Sequence, residues 1–343
     1  MSDRALPLTK KIFFREAIAS AVREAMADDP TVFIMGQDVG SFGGSYREFD
    51  GLFEEFGADR VRDMPVAENA TIGIGAGAAA AGFRPLVSIT YMDFLMLGFD
   101  PLINYAAKLR YKTGGVLQAP LIVKTTAGAH GQGVAHSQCL EAWLMSVPGL
   151  SVVAPSNSQD AYTLMAQALR HDGPVVYIDH KRLFPTASDV TFDAASPSFG
   201  EAVVRRSGED VTITCHSYMV RVALEAAVKL QEKGVSCEVI DLRTLSPLDL
   251  NTVERSVRRT GRLVTLEEGQ STCGIGAEII ARLFSVMGPV PFARVGAQPA
   301  PVSSNPVYEP LCIPDCERVC DAVLAALEQG NSNSHLPSNR TEI

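Results

Sequence analysis

A single carboxylate stands at the start of a long run of small residues. The stretch DMPVAENATIGIGAGAAAAGFRP spans residues 63–85, and no charged side chain occurs between Glu68 and Arg84. Glycine and alanine allow close approach of a backbone or a ligand, although each glycine costs a helix about 1 kcal/mol. Close helix packing explains the glycines but not Glu68, because a carboxylate loses solvation beside an apolar wall. An acid in this position is suited to hold or donate a proton.

The same run contains a dinucleotide-binding spacing. Gly75, Gly77 and Ala80 fit GxGxxA, a motif that follows a buried strand directly and opens a helix. The residues before it are PVAENATI, in which Pro65 and Glu68 do not suit a buried strand. A nicotinamide-dependent dehydrogenase is therefore the weaker of the two interpretations.

Two histidines lie in a second glycine-rich stretch. The sequence AGAHGQGVAHSQ, residues 127–138, holds His130 and His136 and follows the apolar run APLIVKTT. Parallel α/β enzymes place their ligand sites in the loops that follow strands. A loop histidine is more often only hydrogen-bonded to its surroundings, so the position rather than the residue type makes these two candidates.

The cysteines indicate packing rather than a metal site. Cys312, Cys316 and Cys320 have i, i+4, i+8 spacing, which would align them on one helix face. Pro314 interrupts the first interval, and no nearby histidine or fourth cysteine completes a tetrahedral set. We predict core packing for these thiols and no metal site on this chain.

Strands and helices alternate along most of the chain. Apolar runs such as TVFIMG, RPLVSIT and PVVYIDH predict buried strands, and the segments between them are amphipathic. This alternation predicts two parallel-sheet α/β domains. The expected boundaries are 1–185 for the first domain, 186–202 for a linker, 203–328 for the second domain and 329–343 for a disordered tail. Ser156 or Ser158 is the expected N-cap of the helix SQDAYTLMAQALR.

Composition excludes several classes of protein. The chain has 343 residues, of which 46% are hydrophobic, and a net charge of −9. It lacks the basic surplus of nucleic-acid-binding proteins. It also has no signal-like N-terminus and no apolar stretch of about 18 residues, so we expect a cytoplasmic protein without a membrane or nucleic-acid partner.

Several motifs together resemble one family. The chain is similar to the beta subunits of the thiamin-diphosphate-dependent component of 2-oxo-acid dehydrogenase complexes, the pyruvate, branched-chain and acetoin family. The matching stretches occur in family order over residues 11–327: VFIMGQDVG, FGADRVRDMPVAENATIGIGAGAAAAG, SITYMDF, INYAAKLRY, AGAHGQGVAHSQ, PGLSVVAPSNSQDA, GVSCEVIDLRTLSPLD and SVRRTGRLVTLEE.

The resemblance implies both a fold and a reaction. The first domain would be of the transketolase pyrimidine-binding type, and the second would be transketolase C-terminal-like. The reaction would be decarboxylation of a pyruvate-like 2-oxo acid, or cleavage of acetoin, followed by acyl transfer to lipoamide. The alternative is a thiamin-dependent carboligase or acyl-transfer enzyme of a specialised pathway without a lipoyl partner.

The resemblance also implies roles for individual residues. Glu68 matches the acid that binds N1′ of the cofactor's aminopyrimidine, where a shared proton lets the 4′-amino group deprotonate the thiazolium ring. Tyr91 matches an aromatic that stacks on the pyrimidine, and His136 matches the histidine that faces the reacting centre. Glu68 and His136 are thus the predicted catalytic residues.

A second group of residues is implied around the same site. Ala67 belongs to the P-V-A-E motif, and Gln37 stands where many relatives have a glutamate that links two distant active sites. Glutamine cannot ionise, which leaves Asp38 and Asp93 as the nearby acids. His130 matches a histidine found in only part of the family.

The chain resembles half of an active site. It has no G-D-G stretch, the motif with which thiamin-diphosphate enzymes hold Mg²⁺. The family therefore implies an alpha subunit that supplies most of the Mg²⁺ site, an α2β2 heterotetramer and a lipoyl acyltransferase core. A potassium ion is a further implied cofactor at the loop ALRHDGP, where His171 replaces an aspartate common in relatives.

Overall fold

The computed structural model describes residues 8–192 and 196–333, with side chains up to residue 329. Two compact units are present. Unit 1 comprises Met1–Glu201, Arg243–Leu248 and Pro301–Glu309, and unit 2 comprises Ala202–Leu242, Asp249–Ala300 and Pro310–Ile343. The segments 243–248 and 301–309, which the sequence analysis assigned to the second domain, thus belong to unit 1.

The strands, in chain order, are β1 (Thr9–Phe13), β2 (Val32–Gly36), β3 (Val61–Asp63), β4 (Arg84–Ile89), β5 (Ile122–Ala127), β6 (Ser151–Val153), β7 (Val175–His180), β8 (Ala187–Thr191), β9 (Val203–Arg206), β10 (Val211–Cys215), β11 (Cys237–Asp241), β12 (Thr244–Ser246), β13 (Leu263–Gln270) and β14 (Phe292–Ala297).

The α-helices are α1 (Phe14–Asp28), α2 (Leu52–Phe56), α3 (Glu68–Ala80), α4 (Met92–Leu95), α5 (Ala107–Lys112), α6 (Glu141–Met145), α7 (Ser158–Arg170), α8 (Met219–Glu232), α9 (Leu250–Thr260), α10 (Ile275–Met287), α11 (Glu309–Cys312) and α12 (Cys316–Asn333). A 3₁₀ turn, Met96–Gly98, and a π-helix, Asp100–Ala106, lie between α4 and α5. The single helix predicted over residues 100–112 is thus a π-helix followed by an α-helix.

Unit 1 contains a seven-stranded sheet in the order β12-β6-β7-β5-β4-β2-β3. All its neighbours are parallel except β12 and β6. The central strands β5 and β7 are buried along their whole length, as expected for a parallel sheet covered on both faces. The parallel α/β prediction for this part of the chain is confirmed.

Helix ends in unit 1 follow local chemistry. Helix α1 stops just before Asp29 and Pro30, since proline lacks the N–H that continues a helix. Helix α7 is capped by Asn157, whose side chain accepts a hydrogen bond from the N–H of Asp160. The predicted cap at Ser156 or Ser158 is therefore wrong, because Asn157 has the extended conformation of an N-cap and its side chain makes the capping hydrogen bond.

The predicted linker 186–202 contains a strand. Strand β8 pairs antiparallel with β1 in a separate two-stranded sheet. The predicted tail also begins too early at 329, since α12 continues to Asn333. Residues 334–343 of that tail lie outside the described residues.

Unit 2 contains a five-stranded sheet in the order β14-β13-β10-β11-β9, in which only β9 is antiparallel. Helices α8 and α12 pack together over its core, and Cys316 and Cys320 are buried members of that core. The core-packing prediction is confirmed for these two thiols. Cys312 lies on α11 instead and is half-buried, so the three cysteines do not share one helix.

Over the described ranges 8–192 and 196–333, no helix is both long and apolar enough to cross a membrane.

Candidate functional site

Glu68 is the first residue of α3 and is almost completely buried, with 6% of its surface exposed. Asn69 donates a hydrogen bond to the carbonyl of Leu97, 3.3 Å away, which ties the start of this helix to the 3₁₀ turn after α4. Within the described residues, the Glu68 carboxylate makes no hydrogen bond or ion pair. Burial of a carboxylate without a partner is unfavourable. The two carboxylate oxygens of Glu68 can therefore accept hydrogen bonds from a ligand.

The glycines of α3 do not all serve one purpose. A Cβ on Gly75 would lie 2.6 Å from Val87 Cγ2 on β4, so glycine is required there for packing. A Cβ on Gly77 would meet no atom within 4 Å. Gly75, Gly77 and Ala80 all lie inside α3 rather than at a strand-to-helix turn. The dinucleotide-binding interpretation is therefore wrong.

Tyr91 and His136 form the aromatic part of the site. Tyr91 precedes α4, and His136 lies in the loop that follows β5. Their ring centroids are 4.5 Å apart and nearly perpendicular, and the Phe94 ring lies 5.4 Å from His136. The structure thus brings together two residues that are 45 positions apart in sequence and were predicted to share the site.

A buried lysine that the sequence analysis missed holds this arrangement. Lys181 donates a hydrogen bond to the carbonyl of Gly128, at 2.7 Å, and another to the carbonyl of His136. Its ammonium lies 5.3 Å from the centroid of the Tyr91 ring. Lys181 therefore fixes both ends of the histidine loop against Tyr91. The missed signal was a lysine directly after the apolar strand VVYIDH.

A glutamate from the segment 301–309 also fastens this loop. Glu309 forms an ion pair with Arg182 at 2.8 Å and accepts a hydrogen bond from the N–H of Gly131. Arg182 in turn donates to the carbonyl of Ala129 at 2.8 Å. No local motif marks Glu309, so its role could not be read from the sequence.

Asp93 is buried and half satisfied. One carboxylate oxygen accepts hydrogen bonds from the backbone and the side chain of Gln138, at 3.2 and 3.0 Å. Its other oxygen has no hydrogen-bond partner within the described residues. Asp93 therefore anchors the end of the histidine loop and keeps one acceptor free.

The remaining predicted residues lie in the turn after β2, directly before α3 and in the loop that follows β5. Gln37 is half-buried and Asp38 is exposed, both in the turn after β2, where Asp38 has a φ of 54°. Ala67 is the N-cap residue of α3, and His130 is exposed. In the part of the chain that the structure describes, no hydrogen bond or ring contact joins the side chains of these four residues to Tyr91 or His136.

A buried ion cluster lies beneath the loop that follows β2. Lys124 of β5 lies 2.5 Å from Glu48 and 3.0 Å from Asp179 of β7, and all three side chains are at most 2% exposed. Burial, opposed by the charge of Lys124, raises the pKa of Asp179 to about 6. The two carboxylates raise the pKa of Lys124 despite its burial. The missed signals were single charges inside the apolar strands IVKTTA and VVYIDH.

The loop predicted to bind potassium faces an arginine. Arg84 donates hydrogen bonds to the carbonyls of Leu169 and His171, at 3.4 and 3.0 Å, and pairs with Asp172 at 3.0 Å. Burial lowers the pKa of His171. Two of the carbonyl oxygens in this loop therefore already face a cation.

The described residues contain no group of three or more His, Cys, Asp or Glu side chains that could hold a metal ion.

Two family models match the chain. Residues 10–186 match the transketolase pyrimidine-binding domain, and residues 200–319 match the transketolase C-terminal domain. A solved structure described as split gene transketolase, inactive beta4 tetramer, has a TM-score of 0.75 and 26% identity, and the match covers 93% of this chain and 99% of that one.

Sequence relatives are more similar still. The pyruvate dehydrogenase E1 component subunit beta-1, mitochondrial, of Arabidopsis thaliana is 41% identical, and the match covers 91% of this chain and 88% of the relative. The pyruvate dehydrogenase E1 component subunit beta of Rickettsia bellii is 39% identical, with 91% and 98% covered.

Proposed function

The chain belongs to the family of pyruvate dehydrogenase E1 component beta subunits, and from this premise we propose that it is the beta subunit of a thiamin-diphosphate-dependent 2-oxo-acid dehydrogenase component acting on pyruvate. The observation that carries the proposal is the buried carboxylate of Glu68 at the start of α3, which has no partner among the described residues. A ring nitrogen that shares a proton with this carboxylate would supply the partner that residues 8–192 and 196–333 do not provide.

The side chains fit the pyrimidine half of thiamin diphosphate. Glu68 would hold a proton on N1′, and the Tyr91 ring would stack on the pyrimidine. When bound, thiamin diphosphate supplies a nucleophilic carbon that attacks the substrate carbonyl. The backbone carbonyl of His136 is held by Lys181. The His136 side chain would lie near the carbonyl of the substrate and would exchange a proton with it.

An alpha subunit is part of the proposal. Three apolar side chains on or beside α3 are open to solvent: Val66, just before the helix, is 78% exposed, Ile74 within it is 53% exposed, and Leu97, whose carbonyl accepts from Asn69, is 57% exposed. Exposed apolar side chains near a candidate functional residue are typical of a protein interface. We propose that an alpha subunit covers them in an α2β2 assembly and contributes the Mg²⁺ and diphosphate half of the site.

Gln37 bears on coupling between sites rather than on chemistry at one site. It stands half-buried in the turn after β2, and an amide cannot relay a proton as an acid does. Asp93, with its free buried oxygen, is the acid left close to Tyr91. We propose that single-site turnover is intact and that proton coupling between two sites is weak.

Potassium has less support. A potassium ion at the loop 168–174 would need carbonyl oxygens other than those of Leu169 and His171, which accept hydrogen bonds from Arg84. Transfer of the acyl group to a lipoyl acyltransferase core, and activity on acetoin, also remain parts of the proposal. The carboligase alternative gains no support from the relatives, which are pyruvate dehydrogenase subunits.

The test uses the chain co-expressed with its cognate alpha subunit. Release of CO₂ from pyruvate and from a branched-chain 2-oxo acid is measured beside cleavage of acetoin, and acyl transfer to a lipoyl domain is then followed. We expect turnover of pyruvate that requires thiamin diphosphate and Mg²⁺ and that is lost in Glu68→Gln. The matched control is Glu54→Gln, since Glu54 is exposed on α2. Turnover without thiamin diphosphate, or unchanged turnover in Glu68→Gln, would contradict the proposal.

A further inference from the structure

The loop of residues 41–49, between β2 and α2, is fastened from below by the Glu48–Lys124–Asp179 cluster. One oxygen of Glu48 lies 2.5 Å from the Lys124 ammonium, and its other oxygen accepts the N–H of Tyr46 at 2.9 Å. Gly44, with a φ of 87°, is needed here because a Cβ would lie 2.6 Å from Glu48 Oε2. A single buried carboxylate thus ties the sheet to the backbone of this loop.

Tyr46 projects from the fastened loop toward the aromatic part of the site. Its ring stacks on Phe184 with centroids 4.8 Å apart, and it meets the Tyr91 ring edge-on at 6.5 Å. Its hydroxyl donates a hydrogen bond to Gln132 Oε1 at 3.3 Å, and Gln132 Nε2 donates to the Tyr91 hydroxyl at 3.4 Å. Tyr46 is therefore linked to Tyr91 both by ring contact and through one amide.

The direction of this hydrogen-bond chain has a consequence for Tyr91. The Gln132 amide accepts a hydrogen bond at its oxygen and donates one from its nitrogen, so both hydrogen bonds of this chain have the same direction. Tyr91 stands at the accepting end of the bond from Gln132, and its hydroxyl also interacts directly with that of Tyr46. Burial, together with the neighbouring Tyr91, raises the pKa of Tyr46 far above its ordinary value, and Tyr46 stays a donor at neutral pH.

A buried ion cluster is a poor means of gaining stability alone. Its desolvation cost can equal the Coulomb attraction, and well-packed apolar residues often serve as well. Charged partners do impose one geometry. Tyr46 joins the cluster to the hydrogen-bond chain, since its backbone N–H donates to Glu48 and its hydroxyl donates to Gln132.

We propose that Tyr46 is a positioning residue for the candidate site, held in place by the Glu48–Lys124–Asp179 cluster and acting through Gln132 on the hydroxyl of Tyr91. The proposal rests on the proposed function for its kinetic consequence, but the fastening of the loop can be measured without any cofactor.

The first experiment removes one hydroxyl. Tyr46→Phe is compared with a control, Tyr111→Phe, both in the complex with the alpha subunit. Tyr111 is suitable as a control because it is 91% exposed on α5. One lost hydrogen bond corresponds to about a threefold to tenfold change. We expect kcat/KM for pyruvate to fall by about that factor, with unfolding temperature and thiamin diphosphate affinity unchanged. Equal kcat/KM in the two variants would overturn the proposal, as would a loss confined to stability.

The second experiment tests the fastening itself. Hydrogen exchange of residues 41–49 is measured in the chain without cofactor for wild type, Glu48→Gln and the control Asp50→Asn. Among the described residues, the Asp50 carboxylate pairs with Arg47 alone, at the surface. We expect faster exchange of this loop in Glu48→Gln alone, with the strands of unit 2 unaffected. Unchanged exchange in Glu48→Gln would overturn the proposal even if the enzyme proves to be thiamin-dependent. Faster exchange in an enzyme that does not use thiamin would leave the fastening intact and refute only the proposed function.

A double variant joins the two experiments. If Glu48 acts through Tyr46, the losses in kcat/KM of Glu48→Gln and Tyr46→Phe will not multiply in the double variant. Losses that multiply would show independent roles and would overturn the proposed link.

Discussion

Two buried glutamates of unit 1 have similar exposure but opposite surroundings. Glu48 is 2% exposed and Glu68 is 6% exposed. Glu48 is paired with Lys124 and with a backbone N–H, whereas the Glu68 carboxylate has no partner within the described residues. A buried acid that is fully paired belongs to the framework of the protein. A buried acid without a partner indicates a ligand, because nothing in the folded chain offsets its desolvation.

The strongest test of this contrast is the loss of chemistry on replacing the unpaired acid. Glu68→Gln keeps the shape of the side chain but can no longer share a proton as a carboxylate does. We expect turnover of pyruvate to fall by about 10²- to 10⁴-fold, the range of general acid–base effects. The free energy of unfolding without cofactor should stay the same or increase. Steady-state assays and urea unfolding measure the two effects, and a large loss of stability would contradict the contrast.

Removing the cation of the paired acid's cluster should lower stability, in addition to any effect on turnover. Lys124→Met leaves two carboxylates buried without their cation, which should lower the free energy of unfolding by about 3–5 kcal/mol. Lys10→Met is the control, since Lys10 is exposed on β1. Urea unfolding of both variants measures the difference, and equal stabilities would show that the cluster is dispensable.

Two glycines of α3, Gly75 and Gly77, allow the same kind of comparison, because each can be replaced by alanine, which adds one methyl group. Gly75→Ala should destabilise by about 1–3 kcal/mol, because its Cβ would lie against Val87 and overpack the contact with β4. Gly77→Ala meets open space and should stabilise the chain by up to about 1 kcal/mol through helix propensity. Thermal or urea unfolding distinguishes them, and the same sign for both would refute the packing argument.

The smallest expected effect is on pH dependence. Burial raises the pKa of Asp179 to about 6, above its value near 3.9 in an unfolded chain. Between these values the folded protein binds a proton that the unfolded chain does not, so stability from this group decreases as pH rises through 6. Asp179→Asn should therefore lose less stability than wild type between about pH 4 and pH 6.5. Urea unfolding across that range measures the difference, and parallel curves would contradict the assigned shift.

Regular features of the molecule were predictable from the sequence. Apolar runs identified β2, β4, β5, β6 and β7 of unit 1 and β10, β11 and β13 of unit 2, but not β3, β9, β12 or β14. The interrupted spacing at Pro314 argued against a metal site, and core packing is confirmed for Cys316 and Cys320. The cap of α7 was not predictable, because Ser156, Asn157 and Ser158 all have side chains that can cap, and only the backbone conformation selects one. Glu68, Tyr91 and His136 stood out because each lies in a recognisable motif.

The partners of the site were harder to predict because they are distant in sequence. Glu48 and Lys124 are separated by 76 positions, and Glu309 reaches Arg182 across 127. A charged residue within an apolar strand shows that a partner must exist but does not say which one. Only the register of β5 and β7 and the path of the loop after β2 decide the pairing.

The central claim is that Glu68 is unpaired because a ligand completes it. Its most direct test is the stability of the co-expressed complex, with and without thiamin diphosphate and Mg²⁺, in wild type, Glu68→Gln and Glu48→Gln. We predict that the cofactor stabilises wild type and Glu48→Gln but not Glu68→Gln, and that Glu68→Gln is at least as stable as wild type without it. Equal stabilisation of all three proteins, or a ligand-free Glu68→Gln that is as unstable as Glu48→Gln, would contradict the claim.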